Sequence, residues 1–274
     1  MGLTASLMCR CYVEGKAKPC PFPEWFEYDP STMPALHAEF EDPDEAEEVF
    51  ESFQAWLETA CEHPKMEYAR EFIAGWSSFR QFIAALKELG EAHFPTLIDQ
   101  LYDGGEGVTP VELVPTMLEE LERFEARQSE LLQAVLVDAE RDEIVSMGSD
   151  TVGGVLVLDR VTGYSLGFDK QGFFVLDRYE MNRQYFRARV VEQRLLHPET
   201  QEVEFVDQET GRSFRCRAAF GKQVTGEDGI PRMYLAQFQV ELRPILPERY
   251  VHITAPLRRI LHMAQQVGNP IRWL

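Results

Sequence analysis

Near residue 131 the spacing of apolar residues changes from the period of helices to that of strands, and this switch limits what the chain can build. Before it, Val49, Phe50, Phe53, Trp56, Leu57 and Ala60 recur at helical spacing behind Asp42-Pro43-Asp44-Glu45. That leader reads as a helix start, with Asp42 as N-cap and Pro43 at the first helical position. After His63-Pro64 a second stripe (Ala69, Phe72, Ile73, Trp76, Phe79, Ile83, Leu86) predicts one helix over 68–89, stopped by Gly90. Thr109-Pro110-Val111-Glu112 reads as a capping box for a helix with Val114, Met117, Leu118, Leu121 and Phe124 inward, bent by Pro115 in its second turn.

Beyond the switch, short β-prone runs cover 134–137, 154–158, 164–168, 173–176, 185–191, 202–206, 213–219 and 234–242. The turns between them include two of pattern D-x-x-T-G, at 159–163 and 207–211, and a shorter relative, Asp169-Lys-Gln-Gly172. An Asp that caps a turn and a Gly free to adopt positive φ suit tight hairpins, so neighbouring strands are antiparallel. A last helix is predicted from Pro256, with Leu257, Ile260, Leu261, Ala264 and Val267 inward and Gly268 as stop. The apolar ending Trp273-Leu274 predicts a docked tail. The expected fold is α+β: an N-terminal amphipathic helical region with an initial strand, an antiparallel meander sheet and a C-terminal helix. Its regions are 1–130 and 131–274, sharing a core.

Charge divides at the same place. The chain has 46 acids and 27 bases, a net charge of −19. Residues 1–130 hold 27 acids and 9 bases, whereas 131–274 hold 19 acids and 18 bases, sixteen of them arginine. An anionic field of this size repels phosphate backbones and acidic lipid, which disfavours nucleic-acid and membrane-surface binding. No apolar run approaches the roughly 18 residues a spanning helix needs. Residues 1–8 lack the basic-then-apolar order of a signal peptide, and five cysteines, an odd number, suit a reducing compartment. A cytoplasmic location is expected.

The loudest signal is the run from Glu39 to Glu51, in which eight of thirteen residues are acids. Glu41, Asp42, Asp44, Glu45, Glu47, Glu48 and Glu51 are the expected docking residues for a basic protein partner, because dense negative charge accelerates encounter with a cation-rich surface. Cys9-x-Cys11 with Cys20 offers three thiolates to a metal, although the spacing is not that of common zinc modules. Cys61-Glu62-His63 sets a thiol and an imidazole near each other, a pattern also found in cysteine nucleophiles, while His63 as a helix cap is the plainer account. The glycine loop 103–107 carries two acids and reads as a linker rather than a phosphate cradle. Arg178, Arg183, Arg187, Arg189, Arg194, Arg212, Arg215 and Arg217 lie among aromatics and would make a nucleic-acid platform if exposed. Internal pairing with Glu192, Glu202, Glu204 and the acidic helices is the expected outcome. On these readings no catalytic residue, metal ligand or cofactor is assigned.

Several stretches also resemble, together and over nearly the whole chain, an uncharacterised family of cytoplasmic bacterial proteins. They are the Met-Gly-Leu start with Cys9-x-Cys11, Cys61-Glu-His-Pro with Gly75-Trp76, the run from Gly167 to Phe174, the run from Glu192 to Pro198, and the Gly-Asn-Pro-Ile-Arg-Trp ending at Trp273. The resemblance implies a role of the toxin-immunity kind and transfers no site residue. The expected function is a non-enzymatic binding protein that neutralises a basic toxin or effector through its acidic surface. An enzyme or metal protein built on Cys61/His63 or Cys9/Cys11/Cys20 is the first alternative, and nucleic-acid binding through the arginine-rich sheet is the second.

Overall fold

Three residues next to the C-terminus complete a sheet begun by the first strand of the chain. Ile271–Trp273 pairs with Gly2–Met8 on one side, in the register Ala5 with Trp273 and Leu7 with Ile271, and with Gly107–Thr109 on the other. Glu67–Gly75 adds the fourth strand, so the antiparallel order is Glu67–Gly75, Gly2–Met8, Ile271–Trp273, Gly107–Thr109. The buried Trp273 indole donates to the Thr109 hydroxyl at 2.8 Å, and the backbone of Leu274 bonds Thr4 in both directions. The apolar ending is docked.

The structure, a computed structural model, describes residues 2–29, 34–37, 43–101, 107–147, 155–158, 163–177, 179, 183–197, 199–220, 222–225 and 231–274. The fold is α+β and divides into two units: Met1–Gln128 with Leu246–Leu274, and Ser129–Ile245. The C-terminal helix, assigned by sequence to the β region, therefore belongs with the acidic first unit.

In the first unit, Val251–Val267 packs on the Glu67–Gly75 strand and on the helix Val114–Arg127. Ile253, Leu257, Ile260, Leu261 and Ala264 are its buried stripe, and Gly268 ends it in the left-handed region at φ 73°. It begins five residues before Pro256, which lies inside it and gives up one backbone bond in the second turn. Arg259 forks onto Glu71 with two 3.0 Å bonds, which hold that carboxyl below its ordinary range, and Arg258 reaches Glu125 at 2.6 Å. Phe124 meets Phe82, Phe94 and Tyr250 edge-on at 5.0–6.3 Å. The inward set Val114, Met117, Leu118, Leu121 and Phe124 is buried as expected. The capping box is not formed: Thr109 serves Trp273, a short turn Val111–Leu113 intervenes, and the helix starts at Val114 without a side-chain cap. Pro115 consequently sits in the first turn, where its missing N–H costs nothing.

The expected helix over 68–89 is a strand, Glu67–Gly75, followed by a shorter helix, Trp76–Glu88. Ala69, Phe72, Ile73 and Trp76 fit a helical stripe, but the Gly2–Met8 edge supplies a partner for an extended chain, and tertiary pairing overrides local period. Phe72 is left exposed on the strand while Ile73 is buried.

The second unit holds two antiparallel sheets. One runs Ser213–Cys216, Glu202–Asp207, Val190–His197, Gln237–Pro244, Leu132–Asp138, Glu143–Met147; the other runs Gln184–Ala188, Gly172–Asp177, Tyr164–Asp169, Val155–Leu158. Both sheets contribute to one apolar core, in which the Phe173 ring lies 4.8–5.1 Å from those of Phe205, Phe220 and Phe238. The buried Gln193 amide is fully used there, donating to Phe220 and Leu235 carbonyls and accepting from Phe220 N–H. The 207–211 turn forms as its pattern demands: Asp207 accepts from Glu209 N–H and the Thr210 hydroxyl, and Gly211 takes φ 74°. Most of the 159–163 turn lies outside the described residues. Among the described residues no helix is long and apolar enough to cross a membrane.

Truncating Phe173 to Ala removes the centre of this aromatic cluster and is expected to cost about 3–5 kcal/mol in chemical denaturation. Phe72→Ala, at an exposed ring, is expected to stay within about 0.5 kcal/mol of the parent.

Candidate metal centre

Cys9 and Cys11 follow the first strand because that strand ends at Met8, where the chain turns back on itself. Lys16 and Ala17 N–H groups both bond the Cys11 carbonyl, at 2.8 and 3.1 Å, and Glu14 N–H bonds Arg10. Cys61 and His63 arrive from the other direction, just past the acidic helix Pro43–Thr59. The apolar stripe of that helix (Phe53, Trp56, Leu57) packs with Ala60, Met8, Cys9, Cys11, Cys20 and Met66 in a small core. Two backbone bonds pin the junction: Cys9 N–H to Met66 C=O at 2.7 Å and Lys18 N–H to Ala60 C=O at 2.7 Å. The Pro64–Met66 turn that makes the first bond carries Lys65 and Met66 at positive φ, 57° and 59°.

The result is a closed set of four soft donors. Cys9 Sγ lies 3.7 Å from Cys61 Sγ, Cys11 Sγ 3.3 Å from His63 Nδ1, and Cys61 Sγ 3.9 Å from His63 Nδ1. All four ligand atoms lie within 4.8 Å of one another. A tetrahedral zinc with Zn–S near 2.3 Å and Zn–N near 2.0–2.1 Å would have S···S edges of about 3.8 Å and S···N edges of about 3.6 Å. Three edges of the cluster, 3.3–3.9 Å, are close to those values, within a set bounded by 4.8 Å. A cation at its centre would touch four protein atoms and leave no position for water.

The thiols are otherwise poorly placed. Burial, the largest cause, pushes Cys9 up to about 12, opposed by the Cys11 N–H that points at its sulfur; burial also raises Cys11. His63 N–H lies 3.4 Å from Cys61 Sγ, a second backbone donor aimed at a cluster sulfur. At Cys9 the donor is outweighed by burial, and Cys61 Sγ also meets the His63 carbonyl at 3.4 Å. A cleft of about 280 Å³ reaches the cluster and is lined by Cys9, Cys11 and His63, with Arg10, Lys16 and Glu62 among its other residues.

The two sequence alternatives are therefore parts of one site, with one exchange. Cys9 and Cys11 join Cys61 and His63; Cys20 does not, and its sulfur instead accepts from Phe22 N–H at 3.4 Å. His63 makes no side-chain cap to the turn it precedes, which corrects its reading as a capping residue. Its Nδ1 is nearer Cys11 than Cys61, so the geometry does not single out a Cys61–His63 nucleophile pair.

Of the expected docking residues, Asp44, Glu45, Glu47, Glu48 and Glu51 are exposed along Pro43–Thr59, while Glu41 and Asp42 lie outside the described residues. Among the described residues Glu45, Glu47, Glu48 and Glu51 form no ion pair. Several arginines of the β region are paired within it: Arg187 with Asp169, Arg194 with Glu192 and Glu204, Arg215 with Glu204. Arg183 lies over the Tyr185 ring at 5.1 Å, and Arg178 is outside the described residues. The glycine loop is outside them too, except Gly107 in its strand. Comparison with protein-family models, with curated proteins and with solved structures finds no match to this chain.

Cobalt(II) titration separates the ligands from the bystander. Cys20→Ala is expected to keep the intense visible bands of tetrahedral thiolate-bound cobalt, and Cys11→Ser to lose or strongly weaken them. Equal spectra for both variants would remove Cys11 from the site.

Proposed function

We propose that this chain is a zinc-binding protein with a structural Cys₃His centre formed by Cys9, Cys11, Cys61 and His63. The observation that carries the reading is the tetrahedral spacing of four donors brought from two separate segments. Three thiolates and an imidazole favour zinc among the divalent ions, and four protein ligands fill its sphere, so the metal would fasten rather than catalyse. It would join the turn after the first strand to the end of the acidic helix, beside the apolar cluster that those segments share. Binding would displace protons from the thiols, so affinity falls as the pH is lowered. The odd number of cysteines, five, suits a reducing, cytoplasmic setting.

Protein purified without added zinc is expected to carry about one zinc per chain by elemental analysis. Stripping it with a strong chelator at neutral pH should remove several kcal/mol of stability, which zinc restores. A metal-free preparation that neither binds zinc nor responds to the chelator would overturn the proposal.

A second reading, compatible with the first, concerns what the fastened helix does. The exposed, unpaired Glu45, Glu47, Glu48 and Glu51 favour docking of a basic protein, of the toxin or effector kind, with encounter steered by charge. For a basic protein captured from the native cell, added salt and the triple reversal Glu45→Lys, Glu47→Lys, Glu48→Lys should slow association by about tenfold or more while dissociation changes little. An unchanged association rate in the triple variant would place the contact elsewhere.

A further inference from the structure

We infer that the Cys₃His centre is a peroxide-responsive switch in which Cys9 and Cys61 close a disulfide and the metal is released. The inference rests on the zinc reading above and adds its regulation.

Two features of the cluster favour this pair. Their sulfurs are 3.7 Å apart, so modest side-chain rotation closes the distance to the bond length of about 2.05 Å. Within the pair, Cys61 is half-buried whereas Cys9 is buried. Cys61 is thus the sulfur that meets the oxidant and Cys9 the one that resolves it. Cys20 stays outside the cluster and Cys216 lies in the β unit.

The chemistry balances with peroxide as the oxidant. Cys61 thiolate attacks one peroxide oxygen, the O–O bond breaks, and the departing hydroxide takes a proton to become water. Cys9 thiolate then attacks the resulting sulfenic sulfur, the S–O bond breaks, and a second hydroxide leaves as water after protonation. Two thiolates lose two electrons, peroxide gains them, and two protons come from solvent. Arg10 and Lys16 lie on the neighbouring cleft, each paired with Glu14. The metal is left with Cys11 and His63, two ligands where a structural site needs four, and it dissociates. Release frees Cys11 and His63, both on the cleft, while the new bond keeps the end of the acidic helix tethered to the first strand.

The test uses the full chain with its zinc content measured first. Excess hydrogen peroxide is expected to release about one zinc per chain to a chromogenic chelator, at least about tenfold faster than from the untreated chain. The unreduced denatured mass should fall by about 2 Da, and thiol reductant with added zinc should restore the starting state. Trypsin cuts after Arg10 and so separates Cys9 from Cys11. In Cys20→Ser, a crosslink between the peptide ending at Arg10 and the peptide carrying Cys61 identifies the pair. Zinc retained under peroxide, or a crosslink through Cys11, overturns the switch and leaves the zinc centre standing. A chain that never binds zinc overturns both.

Discussion

Three thiols and an imidazole occupy a volume that suits one cation better than separate polar groups. Burial favours the protonated thiol at Cys9 and Cys11 when no cation is bound, although backbone N–H groups of Cys11 and His63 point at sulfurs of the cluster. Three thiolates with no counter-charge would repel one another in a poorly solvated place. A divalent ion resolves that conflict, leaving a net single negative charge that the two N–H donors and the nearby Lys16 can stabilise. Edges of 3.3–3.9 Å between donors suit such an ion.

Everything in the first unit that positions the cluster is ordinary packing. The sheet places the end of Gly2–Met8 beside the start of Glu67–Gly75, which brings Cys9 within bonding reach of Met66. The C-terminal strand locks the other side of Gly2–Met8, and the last helix fastens Glu67–Gly75 through Arg259 and Glu71. The acidic helix contributes its apolar stripe to the cysteine core and turns its carboxylates to solvent. One helix therefore carries both the charge and the approach to Cys61 and His63. In the second unit, Arg187, Arg194 and Arg215 are held by local carboxylates.

Much of the fold was legible because burial imposes period. The inward faces of Val114–Arg127 and Val251–Val267, and the hairpin turn at Asp207, follow directly from residue spacing. The strand at Glu67–Gly75 was not legible, since Ala69, Phe72, Ile73 and Trp76 satisfy a helical stripe and only the neighbouring strand decides otherwise. The capping box at Thr109 failed for a similar reason: a distant Trp273 claims the hydroxyl. The metal set was visible only in halves. C-x-C and C-x-H each look weak alone, and Cys9 and Cys61 are 52 residues apart in sequence, so nothing local joins them or dismisses Cys20. A search for two short soft-ligand pairs at the ends of elements that pair in one sheet would have found it.

X-ray absorption at the zinc edge of the purified full chain examines the centre most directly. The account predicts a first shell of three sulfurs near 2.3 Å and one nitrogen at about 2.0–2.1 Å. A shell made of oxygen and nitrogen alone, or a protein that takes up no zinc, would contradict it.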